Sequence, residues 1–302
     1  MSSEPSHLPS TRAGTRYKRR LVWVFGLVLG FMVAEVVAGV FTNSLALLSD
    51  AGHMATDALG LGMALAAIVA ADRVGHTGQR TYGLYRLEIL AALANAVLLF
   101  AVAGFVLYEA FQRFQEPPEI LSGPMLAVAV LGLGVNLLGW RLLRDGAEQS
   151  INVEGAYLEV IADLVGSVGV VVAALIILFT SWTYADPLFG AAIGLFILPR
   201  AWKLGKRAVR ILVQAAPEGL DLAQLRQRLE LIEDVIDVHD LHVWTLTSDM
   251  EVASVHLMTS TNADTQKILS LAQNVLRDEY KVGHATLQVE PETQEGCAEL
   301  TW

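Results

Sequence analysis

The 302-residue chain is short of charge and nearly without cysteine. Only 17% of its residues are Asp, Glu, Lys or Arg, against about 25% in soluble domains. Its single cysteine, Cys297, excludes an internal disulfide and any cysteine-based zinc finger. Several catalytic signatures are missing too. There is no His-Glu-x-x-His, no Walker A Gly-x-x-x-x-Gly-Lys-Ser/Thr and no Gly-x-Ser-x-Gly. Zincin-type proteolysis, ATP-driven pumping by this chain and nucleophile-elbow hydrolysis are thereby unsupported. A net charge of −10 argues against a nucleic-acid partner, and no motif asks for an organic cofactor.

Apolar residues are abundant, at 54% of the chain, with a mean hydropathy of +0.47. A membrane helix needs roughly 20 mostly apolar residues, and six stretches qualify: about 21–41, 45–71, 86–112, 122–142, 154–180 and 187–202. The lipid bilayer is the expected solvent for all six. The run from residue 21 is expected to be the first spanning helix rather than a cleaved leader, following a polar tail over 1–20.

Positive charge collects at alternate ends of these runs. Arg16, Lys18, Arg19 and Arg20, then Arg73, Arg80 and Arg86, then Arg141 and Arg144, then Lys203, Lys206, Arg207 and Arg210 fall on one side. That side is cytoplasmic by the positive-inside rule, which places both termini inside. Arg113 is the one basic residue near an outer end, where it could snorkel to the interface.

The composition changes after Arg210, so 21–210 reads as a six-helix membrane domain and 211–302 as a cytoplasmic domain. Leu222, Leu225, Leu229 and Ile232 mark an amphipathic helix. Strands are predicted over 235–246, 251–259 and 285–290, with a second helix over 267–280 before the last. This helix–strand–strand–helix–strand order implies an α+β layer with both helices on one face.

The polar residues inside the apolar runs carry the chemistry. His53 and Asp57 are four apart on the second helix, and Glu159 and Asp163 are four apart on the fifth. That spacing stacks each pair on one helical face. An ionisable group at the bilayer centre costs at least ~2.5–3.5 kcal/mol on insertion scales. Four of them need a compensating ligand or proton; for any one alone, a helix–helix hydrogen bond is the competing reading. A His/Asp/Glu set without Cys suits tetrahedral Zn²⁺, and also Co²⁺ or Mn²⁺. A neutral imidazole and three carboxylates would leave a bound dication with a net charge of −1. Ligands must be deprotonated to bind, so metal and protons compete for the same lone pairs. Asp50, one turn before His53, reads as a supporting group or as a helix-start residue. Glu35 reads as helix–helix glue or a proton-path residue, and Asn136 and Asn95 as glue.

These residues lie in segments that resemble a known family. Ser44-Leu-Ala-Leu-Leu-Ser-Asp-Ala-Gly-His-Met-Ala-Thr-Asp57, Arg80-Thr-Tyr-Gly-Leu-Tyr-Arg-Leu-Glu-Ile-Leu90, Ala162-Asp-Leu-Val-Gly-Ser-Val-Gly-Val170, Asp186-Pro-Leu-Phe-Gly190 and His239-Asp-Leu-His-Val-Trp-Thr245 resemble, in order, the cation diffusion facilitator family. The likeness is nearest to the bacterial cobalt–zinc–cadmium resistance exporters. It implies a homodimeric metal/proton antiporter of the bacterial inner membrane, with a ferredoxin-like cytoplasmic domain. The implied cargo is Zn²⁺, with Co²⁺ and Cd²⁺ as alternatives and protons as the counter-ion. His53, Asp57 and Asp163 match the family's transport-site positions, while Glu159 stands where many zinc-selective members carry His. Glu is a harder ligand than imidazole, which widens the expected metal range.

Four of the seven histidines, His239, His242, His256 and His284, lie in the cytoplasmic domain. The resemblance implies a regulatory metal near His239, His256 and Glu290, with His284 as an alternate ligand. His239 and His242 are three apart on a predicted strand, so period-two alternation puts them on opposite faces.

Overall fold

The computed structural model describes the backbone of residues 11–74, 81–147, 151–247 and 250–293. Side chains are described from Trp23 onward within these ranges, apart from 61, 64–74, 145–147, 151–156 and 159. Six long helices come first: α1 (Thr11–Thr42), α2 (Leu45–Val74), α3 (Arg86–Gln115), α4 (Ser122–Ala147), α5 (Ile151–Thr180) and α6 (Ala185–Leu212). Among the described residues, all but α2 are long and apolar enough to cross a membrane. Their outward faces keep large apolar side chains exposed, among them Val37, Phe41, Phe105, Phe111, Phe179 and Phe196. Such a continuous apolar exterior fits a hydrocarbon solvent rather than water.

The chain divides into two compact units, residues 1–62 with 95–203 and residues 63–94 with 204–302. In the first, α4 packs on α5 and α1. Val24, Leu143 and Val160 form a buried contact there, and Gly139 lets Val160 approach α4 closely. Asn136 Nδ2 donates to Ser167 Oγ at 3.0 Å, joining α4 to α5. This is the glue expected of a buried intramembrane amide.

A polar clamp closes one end of this unit. Asn43, at φ 58°, breaks the chain between α1 and α2, and Ser44 caps α2 by accepting from Leu47 N at 3.2 Å. Asp186, in the first turn of α6, then accepts from Ser44 Oγ, Leu45 N and Ala46 N at 2.5, 2.7 and 3.1 Å. Arg113 of α3 donates to the Asn43 carbonyl at 2.6 Å, to Glu109 at 3.0 Å and to Asp186 at 3.5 Å. Arg113 is therefore buried in a partnered network and does not snorkel. Carboxylate and carbonyl partners make its burial tolerable. Gly190 completes the joint: a Cβ there would sit 3.1 Å from Leu45.

The second unit carries the predicted α+β layer. α7 (Leu222–Glu230) is followed by β1 (Val235–Thr247), β2 (Met250–Thr259), α8 (Thr265–Asn274) and β3 (His284–Pro291). Asp221 and Asp264 cap the two helices by accepting backbone N–H groups of the first turn. α8 runs on into a single π turn over Val275–Glu279. The sheet order is β1-β2-β3, with β1–β2 antiparallel and β2–β3 parallel across α8. Ala253, Val255 and Leu257 of β2 face α7 and α8, and pack with Leu225, Leu229, Ile268 and Leu276. Within the same unit, Thr247 Oγ1 donates to Glu88 Oε2 at the start of α3.

One expectation about this sheet is corrected. His239 pairs with His256 and His242 with Ser254, so two residues of β1, Asp240 and Leu241, oppose Val255 alone. This is a β-bulge, with Asp240 at φ 47°. The extra residue shifts the alternation by one, and His239 and His242 share the face away from the helices. His242 is nonetheless exposed, whereas His239 is buried.

Candidate metal centres

α2 and α5 bring three of the four predicted membrane ligands together. Ligand atoms of His53, Asp57 and Asp163 all lie within 4.8 Å of one another. His53 Nε2 is 3.7 Å from Asp57 Oδ2 and 3.9 Å from Asp163 Oδ1. His53 and Asp163 are buried, and the Asp57 side chain is 24% exposed. The i,i+4 spacing places His53 above Asp57 on α2, and α5 supplies Asp163 from the facing side. Two anions and an imidazole in this geometry can share one dication at bond lengths of about 2.0–2.2 Å after small side-chain movements. Glu159 lies one turn before Asp163 on α5, and its side chain is outside the described residues.

Asp50 and Glu35 are both buried and lie close enough to interact electrostatically with each other, and Glu35 also feels Asp163. Neither Asp50 carboxylate oxygen meets a donor at hydrogen-bonding geometry among the described residues, nor does Oε2 of Glu35. Gly166 of α5 makes room for this group, since a Cβ there would stand 2.6 Å from Asp50 Oδ1. The helix-start reading of Asp50 does not apply, because α2 begins five residues earlier at Leu45.

Sequence reasoning missed Arg200. It sits on α6 directly after Pro199, with Nη1 3.6 Å from Asp57 Oδ2. The available signal was a guanidinium at the edge of an apolar run, which by its cost asks for a named partner.

A second set forms on the open face of the sheet. Ligand atoms of His239, His256 and Glu290 also lie within 4.8 Å of one another. His256 Nδ1 is 3.4 Å from Glu290 Oε1, and His239 Nε2 is 4.0 Å from Glu290 Oε2. The two imidazoles meet edge to face with centroids 5.3 Å apart. Asp237 Oδ2 approaches His239 Nδ1 at 3.2 Å, a contact that fixes the ring and leaves Nε2 toward Glu290. Glu290 is buried and hydrogen-bonded by Gln288. His284 is exposed at the opposite end of β3, paired with Val252, and does not join this set.

Comparison with known proteins agrees over nearly the whole chain. Residues 21–213 match the family model of the cation efflux transmembrane domain, and 217–292 that of the cation efflux protein cytoplasmic domain. The metal cation efflux system protein CzcD of Cupriavidus metallidurans is 45% identical over 274 residues, 90% of this chain and 86% of that protein. The zinc transporter ZitB of Escherichia coli is 41% identical over 291 residues, covering 96% and 91%. A cadmium, cobalt and zinc/H⁺–K⁺ antiporter of Bacillus subtilis is 37% identical over 283 residues, covering 91% and 89%.

Proposed function

The chain belongs to the cation efflux family, and from that premise we propose that it is a divalent metal/proton antiporter. It exports Zn²⁺ from the cytoplasm, with Co²⁺ and Cd²⁺ as further substrates, and works as a secondary transporter rather than an enzyme. The observation that carries this reading is the convergence of His53, Asp57 and Asp163 from two membrane-length helices. Glu159 is the fourth ligand. Metal binding requires these groups to be deprotonated, and protons arriving from outside displace the metal by discharging the carboxylates. Asp50 and Glu35 lie beside this set and serve the proton's route. The names of a zinc transporter and of a cadmium, cobalt and zinc/H⁺–K⁺ antiporter among the relatives support the metals and the proton coupling.

Residues 1–20 form a cytoplasmic tail, 21–210 the transport domain and 211–302 a regulatory and dimerisation domain. The protein works as a homodimer in a bacterial inner membrane, with both termini inside. His239, His256 and Glu290 hold a regulatory Zn²⁺ drawn from the cytosol.

Transport into proteoliposomes under an imposed pH gradient tests the central claim. Zn²⁺ flux should follow the gradient and vanish in Asp57→Ala. Gradient-driven flux that survives this substitution removes the assigned site.

A further inference from the structure

We propose that Arg200 is a tethered cation that competes with the transported metal for Asp57, so that α6 takes part in releasing the metal. The inference rests on the transport reading above. One oxygen, Asp57 Oδ2, faces both His53 Nε2 at 3.7 Å and Arg200 Nη1 at 3.6 Å. A dication ligated by that oxygen lies about 2.0–2.2 Å from it, hence within about 6 Å of a guanidinium that stayed in place. Arginine keeps its charge and has no lone pair to offer a metal. The two cations therefore attract the same carboxylate and repel one another, and each weakens the other's hold.

The surroundings allow such an exchange. The Arg200 side chain is 36% exposed, so the displaced guanidinium has room to move away from Asp57. Pro199 precedes it within α6 and has no N–H to donate, which leaves the helix one bond short beside the moving side chain. At the other end, Asp186 and Gly190 bind α6 tightly to the first turn of α2. This joint holds α6 beside α2, and Arg200 reaches Asp57 from further along the helix. A carboxylate-rich site binds a dication well and releases it slowly; a neighbouring positive charge that takes over Asp57 speeds the release.

The test uses the full-length protein in the His256→Ala background, so that the titration reads the membrane set. Zn²⁺ affinity by calorimetry and pH-driven Zn²⁺ flux in proteoliposomes are compared for Arg200, Arg200→Gln, Arg200→Lys and Asp57→Ala. Arg200→Gln should bind Zn²⁺ about tenfold more tightly, or 1.4 kcal/mol, while its maximal flux and its KM both fall. Arg200→Lys keeps a competing cation and should stay within about threefold of the parent. Unchanged or weaker Zn²⁺ binding in Arg200→Gln overturns the proposal, since a residue that merely positioned Asp57 would weaken binding when lost. Size-exclusion profiles check folding, and Arg200→Met replaces Arg200→Gln if the latter aggregates. Should Asp57→Ala leave binding and flux intact, the transport site itself is wrong. Should Asp57→Ala abolish both while Arg200→Gln changes nothing, only the role of Arg200 falls.

Discussion

The two three-residue donor sets are built by different secondary structure and hold different chemistry. In the membrane, helical repetition does the work: His53 and Asp57 stack on α2, and Asp163 faces them from α5. In the cytoplasmic domain, strand pairing does it: His239 lies opposite His256, and Glu290 comes from the neighbouring parallel strand. The membrane set has one imidazole and two described carboxylates, whereas the sheet set has two imidazoles and one carboxylate. Protons compete with metal at both sets, and the membrane set also has a guanidinium beside it, with Arg200 Nη1 3.6 Å from Asp57 Oδ2. In the sheet set the His239 ring is held by Asp237 Oδ2 at 3.2 Å instead. The contrast fits the proposed division into a transport set and a regulatory set.

Four substitutions press on that contrast. The largest effect is expected from Asp163→Ala, which should cut pH-driven Zn²⁺ flux at least about 100-fold, beyond the range seen when only a supporting partner is lost. Calorimetry on the same protein should still find one metal per protomer, held by the sheet set. Next comes His256→Ala, which should remove that second equivalent. Maximal flux measured at saturating Zn²⁺ should stay within about threefold, as the proposed regulatory role requires. If His256→Ala stops transport outright, the division of labour is wrong.

Glu159→His should act more gently, by changing selectivity instead of rate. Exchange of a hard carboxylate for imidazole should move the Zn²⁺:Co²⁺:Cd²⁺ flux ratios several-fold, and unchanged ratios in vesicles would show that Glu159 is not a ligand. The smallest effect belongs to the exposed Glu233–Lys267 pair, 2.8 Å apart. Lys267, by hydrogen bond and charge, holds the Glu233 carboxyl below its ordinary value. A lowered carboxylate stabilises the fold above the unfolded-state value and loses that contribution as pH falls through the folded one. Lys267→Ala should therefore lower the unfolding midpoint slightly at neutral pH, and the difference should vanish once Glu233 is protonated.

Much of this was legible because local rules decide it. Apolar runs of membrane length mark the long helices, all but α2 meeting that measure among the described residues, and an i,i+4 pair of ligands is a face wherever a helix forms. The order α7-β1-β2-α8-β3 follows from leucine spacing and β-branched runs in the same way. What escaped depends on how distant pieces of chain meet. Nothing near Asp57 announces Arg200, which is 143 positions away and reaches it only when α6 packs beside α2. The partners that keep Arg113 buried are Asn43 and Asp186, again remote in sequence. The bulge at Asp240 was hidden for another reason: Asp-Leu looks like ordinary strand alternation, and only the partner strand reveals the extra residue.

Asp186 has a kinematic consequence. It takes up two backbone N–H groups and the capping hydroxyl at the start of α2, although it belongs to α6. α2 therefore cannot turn about its own axis at that end without giving up three hydrogen bonds at once. These ends of the two helices share their degrees of freedom, and any rotation of α2 that moves His53 and Asp57 carries the first turn of α6 along with it. Pro199 and Arg200 lie further along α6, beyond this joint. In mechanical terms the two helices share a pinned joint at this end, with a guanidinium–carboxylate contact further along.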